Sequence, residues 1–164
     1  MARTKPKQME MTIRSCFEDS VSEIGCLRDE MDEWRDNIEE YFSETEKFER
    51  VSDAAEALEE GLTALEDWES AVKEIEKYND RLLLYVIEVY QFTYTKKGLA
   101  RWRRLSNCLV AIESAKDWLE EFLRKADEFL EIPDDAKDAI EELIRLHDEA
   151  EAYLSDVNFP TMFG

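Results

Sequence analysis

Apolar residues near the start of the chain recur at alternating spacings of three and four. Ile24, Leu27, Met31, Trp34, Ile38 and Tyr41 form one series, and Ile13 and Phe17 extend it backwards, with Val21 one residue off register. Such a series lies along one side of an α-helix and marks a seam of coiled-coil type. It predicts a first helix over residues 9–42. The rhythm then fails, and Ser43 followed by Glu46 has the spacing of a capping box. A hairpin turn is expected there.

A second seam starts at Phe48 and runs through Val51, Ala55, Leu58, Leu62, Leu65, Trp68, Val72 and Ile75 towards Leu82, Val86 and Val89. It predicts a helix over 45–97. Gly61 is a cost of roughly 1 kcal/mol against alanine, but the register survives it. Asn79-Asp80 is the place where so long a helix would break. Lys96-Lys97-Gly98 reads as its stop, with cations in the last turn and a glycine for the cap. Trp102, Leu105, Leu109, Ile112, Leu119, Phe122, Ala126 and Phe129 mark a third helix over 99–131. After Pro133, the stripe Ala136, Ile140, Leu143, His147, Ala150 and Leu154 marks a fourth over 134–155. Short turns make neighbouring helices antiparallel. The fold class is therefore all-α, an elongated antiparallel bundle of coiled-coil character with about four helices.

The segment Leu82–Tyr94 is apolar nearly all round, with only Glu88 and Gln91 interrupting it. Its β propensity is high, but its alternation is not clean and no partner strand is evident, so it is read as helix. Such a helix needs cover on several sides. Two covers are available: the apolar tail 158–164, or a second copy meeting Tyr85, Ile87, Tyr90 and Tyr94 in a homodimer. The run is too short and too polar to span a bilayer. The chain thus divides into a basic flexible arm (1–8), one helical bundle domain (9–157) and the tail.

Charge changes this picture most. The chain of 164 residues carries 41 acidic and 21 basic residues, a net charge of −20. Residues 9–80 hold 24 acids and 7 bases, while residues 81–112 hold one acid, Glu88, and six bases. Asp29, Glu33, Asp36 and Glu40 form an acidic stripe away from the first seam, and Glu56, Glu60, Asp67 and Glu74 form another on the second helix. Like charges at this spacing cost a helix roughly 0.2–0.5 kcal/mol per pair. A docking face for a basic partner gives them a use. Lys96, Lys97, Arg101, Arg103 and Arg104, interleaved with aromatics, form a basic end of the kind that can grip single-stranded nucleic acid. Trp102 and Phe92 fit the seam there and are read as core.

Catalytic signals are few. His147 is the only histidine, sits on the fourth seam and has Ile144 three residues before it, so the Glu-x-x-His pairs of di-iron bundles are missing. Four glycines scarcely supply a phosphate loop. Cys16, Cys26 and Cys108 are odd in number and widely spaced, which favours free thiols in a reducing, cytoplasmic setting. No signal peptide is expected, since the basic start is followed by no apolar stretch. The sequence points to a non-enzyme without metal or cofactor. Its leading reading is an acidic interaction protein that docks on the basic surface of a macromolecule. In the sharpest form it is a polyanion or DNA-mimic inhibitor of a nucleic-acid-processing system, of the type bacteriophages deploy. A structural or adaptor coiled coil is the alternative, and a nucleic-acid binder working through Arg101–Arg104 is a second. Membrane partners are not expected.

Overall fold

The structure is a computed structural model and describes residues 6–42, 45–92, 100–129 and 131–160. Its α-helices are Ile13–Phe42 (α1), Glu46–Ala64 (α2), Trp68–Tyr78 (α3), Arg101–Phe129 (α4) and Asp134–Leu154 (α5). Two strands, Pro6–Thr12 (β1) and Val86–Phe92 (β2), form an antiparallel ribbon, and a 3-10 turn at Leu82–Leu84 leads into β2. The architecture is a mostly all-α helical bundle with this small ribbon added to it.

The helices stand in four antiparallel columns: α1, then α2 with α3, then α5, then α4, which returns to α1. Pairs along the seams fix the arrangement. Arg28 of α1 meets Glu59 of α2, and Ser20 donates to the Cys108 carbonyl of α4. Lys116 of α4 meets Asp148 of α5. The seam residues form the shared core. Phe17, Ile24, Leu27 and Met31 are fully buried with Leu58, Leu65, Ile75, Ile112, Leu119 and Ile140.

The second predicted helix is shorter and carries one break more than expected. It breaks at residues 65–67, and its helical path ends at Tyr78, at the expected Asn79 break, rather than at 97. Leu65, Trp68 and Ala71, all buried, are separated by three residues twice. On a straight α-helix each such step turns the stripe back by roughly 60°. The bonds from Glu66 N–H to Thr63 and from Trp68 N–H to Leu65 tighten the chain into 3-10 geometry, where residues three apart share a face. Asn79 is indeed a cap: it closes α3, and its side chain accepts from the Arg81 amide. The cap of α2 is Thr45, whose hydroxyl accepts from Phe48 N–H; Ser43 lies outside the described residues, as does the predicted stop at Lys96, Lys97 and Gly98.

The strand rejected from the sequence exists. Its partner is β1, in the stretch read as a flexible arm and the start of the first helix; α1 begins only at Ile13. The register pairs Lys7 with Gln91, Met9 with Val89 and Met11 with Ile87. Met9, Met11, Ile87 and Val89 turn inward over α1 and α4, and Glu10, Val86, Glu88 and Tyr90 turn outward. Two exposed positions of β2 carry apolar residues, which hid the period of two. At the tail, Val157 and Phe159 pack on the core; Met162 and Phe163 lie outside the described residues. Among the described residues, no helix is long and apolar enough to cross a membrane.

Candidate functional site

The acidic residues of α2 and α3 stand on a ridge between α1 and α5. On the α1 side, Asp32, Arg35, Glu56, Glu59 and Glu60 rim a groove floored by Ser52 and Ala55. On the α5 side, Glu59 and Glu60 share a second groove with Glu149 and Tyr153. Further along, Asp67 and Glu74 face Asp135, Asp138 and Glu142 of α5 across Ser70, Ala71 and Ala139. This third groove, about 590 Å³, is lined by five carboxylates; Lys77 bonds Glu74 at 2.7 Å and Arg145 bonds Glu142 from outside the lining, while Asp67, Asp135 and Asp138 have no ion pair among the described residues. Small residues at the helix contact keep its floor shallow, so the charges stand at the rim.

The candidate acids are differently placed. Asp29 is joined to the ridge through Arg28, which bonds Asp29 at 3.0 Å and Glu59 at 2.9 Å. Asp36 lies 4.0 Å from Arg35, which binds Asp32 at 3.0 Å. Glu33, Glu56, Glu60 and Asp67 are exposed and have no cationic partner among the described residues. The Glu40 side chain lies outside the described set. The α5 contribution was missed from the sequence. Asp135, Asp138, Glu142 and Glu149 are spaced by three, four and seven, a stripe as readable as the other two.

The basic end is largely answered within the chain. Arg104 bonds Glu23 and Glu30 of α1, the latter at 2.7 Å, and its side chain is 23% exposed. Arg101 reaches Glu30 at 3.3 Å and lies over the Trp34 ring, 5.4 Å from its centroid. The hydrogen bond from Arg104 holds the Glu30 carboxyl below the usual range, and Glu30 in turn raises Arg104 further. Arg103 stacks on Trp102 at 4.7 Å and on Phe92 at 5.5 Å. Trp102 is 56% exposed, so its reading as core does not hold; the described part of α4 opens at Arg101 and leaves that first turn at the surface. Lys96 and Lys97 lie outside the described residues.

The aromatic candidates divide. Tyr85 and Tyr90 are more than half exposed, together with Leu84 and Val86. Tyr85 stacks on Trp118 with centroids 5.0 Å apart, and Trp118 stacks on Phe122 at 5.5 Å. Ile87 instead turns inward and packs on the core, because the strand sends alternate residues to opposite faces. Tyr94 lies outside the described residues.

Titratable groups in the interior are few. Burial pushes the Cys16 and Cys108 thiols up to about 12, which makes them poor nucleophiles. Cys26 is exposed. His147 is 1% exposed; its Nδ1 lies 3.2 Å from Asp148 and its Nε2 lies 3.5 Å from Glu151. Those three are near enough to share an ion, but the Lys116 ammonium already occupies Asp148 at 2.7 Å and holds its carboxyl below the usual range. In comparisons with protein families, curated proteins and solved structures, the chain matches none.

Proposed function

We propose that the chain is a non-enzymatic acidic interaction protein that occupies a basic surface on a macromolecular partner, normally used for nucleic acid. The observation that carries this reading is the groove between α3 and α5, where five carboxylates converge and only two of them, Glu74 and Glu142, are paired with a cation, Lys77 and Arg145 of their own helices. It continues into the Glu59–Glu60 ridge and so into α1. Asp67 and Glu74 stand seven residues apart, and Asp135, Asp138 and Glu142 three and four apart, so the two rows together carry about one charge per 3.5 Å. Duplex DNA carries one per about 1.7 Å. Before the pairing of Glu74 with Lys77, Glu142 with Arg145 and Glu59 with Arg28 is counted, the face reaches about half the line charge of a duplex, and the carboxylates left open still favour steering of a basic partner onto it. Two of the three arginines that would serve direct nucleic-acid binding, Arg101 and Arg104, are engaged by Glu23 and Glu30, which favours mimicry over binding. Three free cysteines support a cytoplasmic setting.

The test compares the native chain with a variant carrying Glu60→Lys, Asp67→Lys, Glu74→Lys, Asp138→Lys and Glu142→Lys as baits in host lysate at low and high salt. The native chain is expected to retain proteins with basic nucleic-acid sites, to release them to added duplex DNA, and to lose them at high salt. The variant is expected to retain none of them while keeping its fold, since the Glu74–Lys77 and Glu142–Arg145 pairs it loses are exposed and contribute little. Equal, salt-insensitive retention by both would reject the docking function and favour a structural adaptor.

A further inference from the structure

Among the described residues no strand pairs with the outer edge of β1, and its hydrogen-bonding phase follows from the two ends of the ribbon. At one end the Ile13 amide donates to the Tyr85 carbonyl at 3.1 Å. Odd-numbered residues of β1 therefore turn both backbone groups towards β2. At the other end, Phe92 turns away from β1: its amide donates to Asn107 Oδ1 and its carbonyl accepts from Asn107 Nδ2, each at 2.9 Å. The two ends agree. Gln8 and Glu10 thus aim their amides and carbonyls outward, and those groups meet no partner among the described residues.

The outward side chains make this edge selective. Glu10 stands directly opposite Glu88, in the type of pair where side chains approach most closely. Like charges so placed oppose strand pairing, and neither carboxylate has a cation among the described residues. We propose that the free edge of β1 receives an extended basic segment of a partner protein as a third strand, with a Lys or Arg beside Glu10. Main-chain bonds to Gln8 and Glu10 supply the pairing, and the carboxylate row chooses the charge. Alternate residues of the incoming strand fall beside Met9 and Met11, above a cavity of about 310 Å³ between the ribbon, α1 and α4. A second copy of the chain fits less well, because it would add two more carboxylates to the same face. The edge lies over α1 and α4, apart from the grooves of α2, α3 and α5, so it stands or falls independently of them.

The probe is a capped peptide, Thr-Val-Thr-Val-Lys-Val-Thr-Val-Thr, compared with the same peptide carrying Glu in place of Lys. Fluorescence anisotropy with the full chain gives the affinities, and amide NMR locates the contact. The lysine peptide is expected to bind about tenfold more tightly and to shift the Gln8 and Glu10 amides. Gln8→Pro removes an amide the ribbon does not use, so it is expected to leave the melting curve unchanged and abolish binding. Glu10→Lys is expected to reverse the preference between the peptides, and this reversal is the deciding measurement if the proline disturbs the ribbon. No binding of the lysine peptide, equal affinities, or binding that survives Gln8→Pro in an intact ribbon would overturn the proposal. A doubled mass in sedimentation that Gln8→Pro removes would assign the edge to a second copy and overturn it too.

Discussion

Gly61 shows how one side chain sets what a residue means. From the sequence it is only a weak point in a helix, worth roughly 1 kcal/mol against alanine. In the bundle it is the place where α5 closes on α2. A Cβ at Gly61 would lie 2.3 Å from Leu154 Cδ2 and 2.4 Å from its Cγ. Leu154 is itself buried, so its branch point cannot swing away cheaply. Overpacking of this kind costs typically 1–3 kcal/mol, which exceeds the gain in helix propensity. Gly61→Ala is therefore expected to destabilise the chain by about 1 kcal/mol. In a Leu154→Ala background the clash is gone, and the same change should become stabilising. Urea denaturation of the four forms in a double-mutant cycle reads this change of sign.

Elements are decided by partners as much as by local pattern. The ribbon joins residues 6–12 to 86–92, across two helical columns of chain. The alternation of Gln8, Glu10 and Thr12 with Met9 and Met11 is legible in the sequence, but nothing local says which strand it meets. The ribbon is anchored on α4 by Asn107, an 8% exposed amide that bonds both backbone groups of Phe92. Asn107→Ala removes both bonds and leaves two strand-end groups without their partner. A cost of about 1–3 kcal/mol follows, confined to this corner. Hydrogen exchange is expected to accelerate at Phe92 while the amide of Leu119, deep in α4, keeps its protection. Equal acceleration at both would mean that Asn107 supports the whole bundle rather than the ribbon.

At the scale of the whole molecule, charge is the dominant tension. Cross-helix pairs such as Arg104 with Glu30, Arg28 with Glu59 and Lys116 with Asp148 hold the columns together. The chain nonetheless has 41 acids for 21 bases, so repulsion outnumbers attraction. Salt weakens both, and the Debye length falls from about 10 Å at 0.1 M to 3 Å at 1 M. The melting temperature is therefore expected to rise with sodium chloride, and to rise less for the five-lysine variant. A fall with salt would show that the cross-helix pairs outweigh the repulsion of the grooves.

The sequence by itself determined the helical bundle, the buried seams of α1, α4 and α5, and the excess of acid on α2 and α3. Those are local facts: a spacing of three and four defines a helix face whatever it packs against, and a run of carboxylates is acidic in any fold. Tertiary structure alone decided three other things. It broke the second helix at 65–67, where bonds from Glu66 N–H to Thr63 and from Trp68 N–H to Leu65 tighten the chain although the apolar seam runs on through Val72 and Ile75. It made a strand of Val86–Phe92, because Met9 and Met11 arrive beside it and cover it from the distant end of the chain. It also turned separate acidic stripes into grooves while drawing Arg101 and Arg104 onto Glu23 and Glu30. Which charges meet and which stay open depends on how antiparallel columns slide into register, and that is set by contacts between residues far apart in sequence.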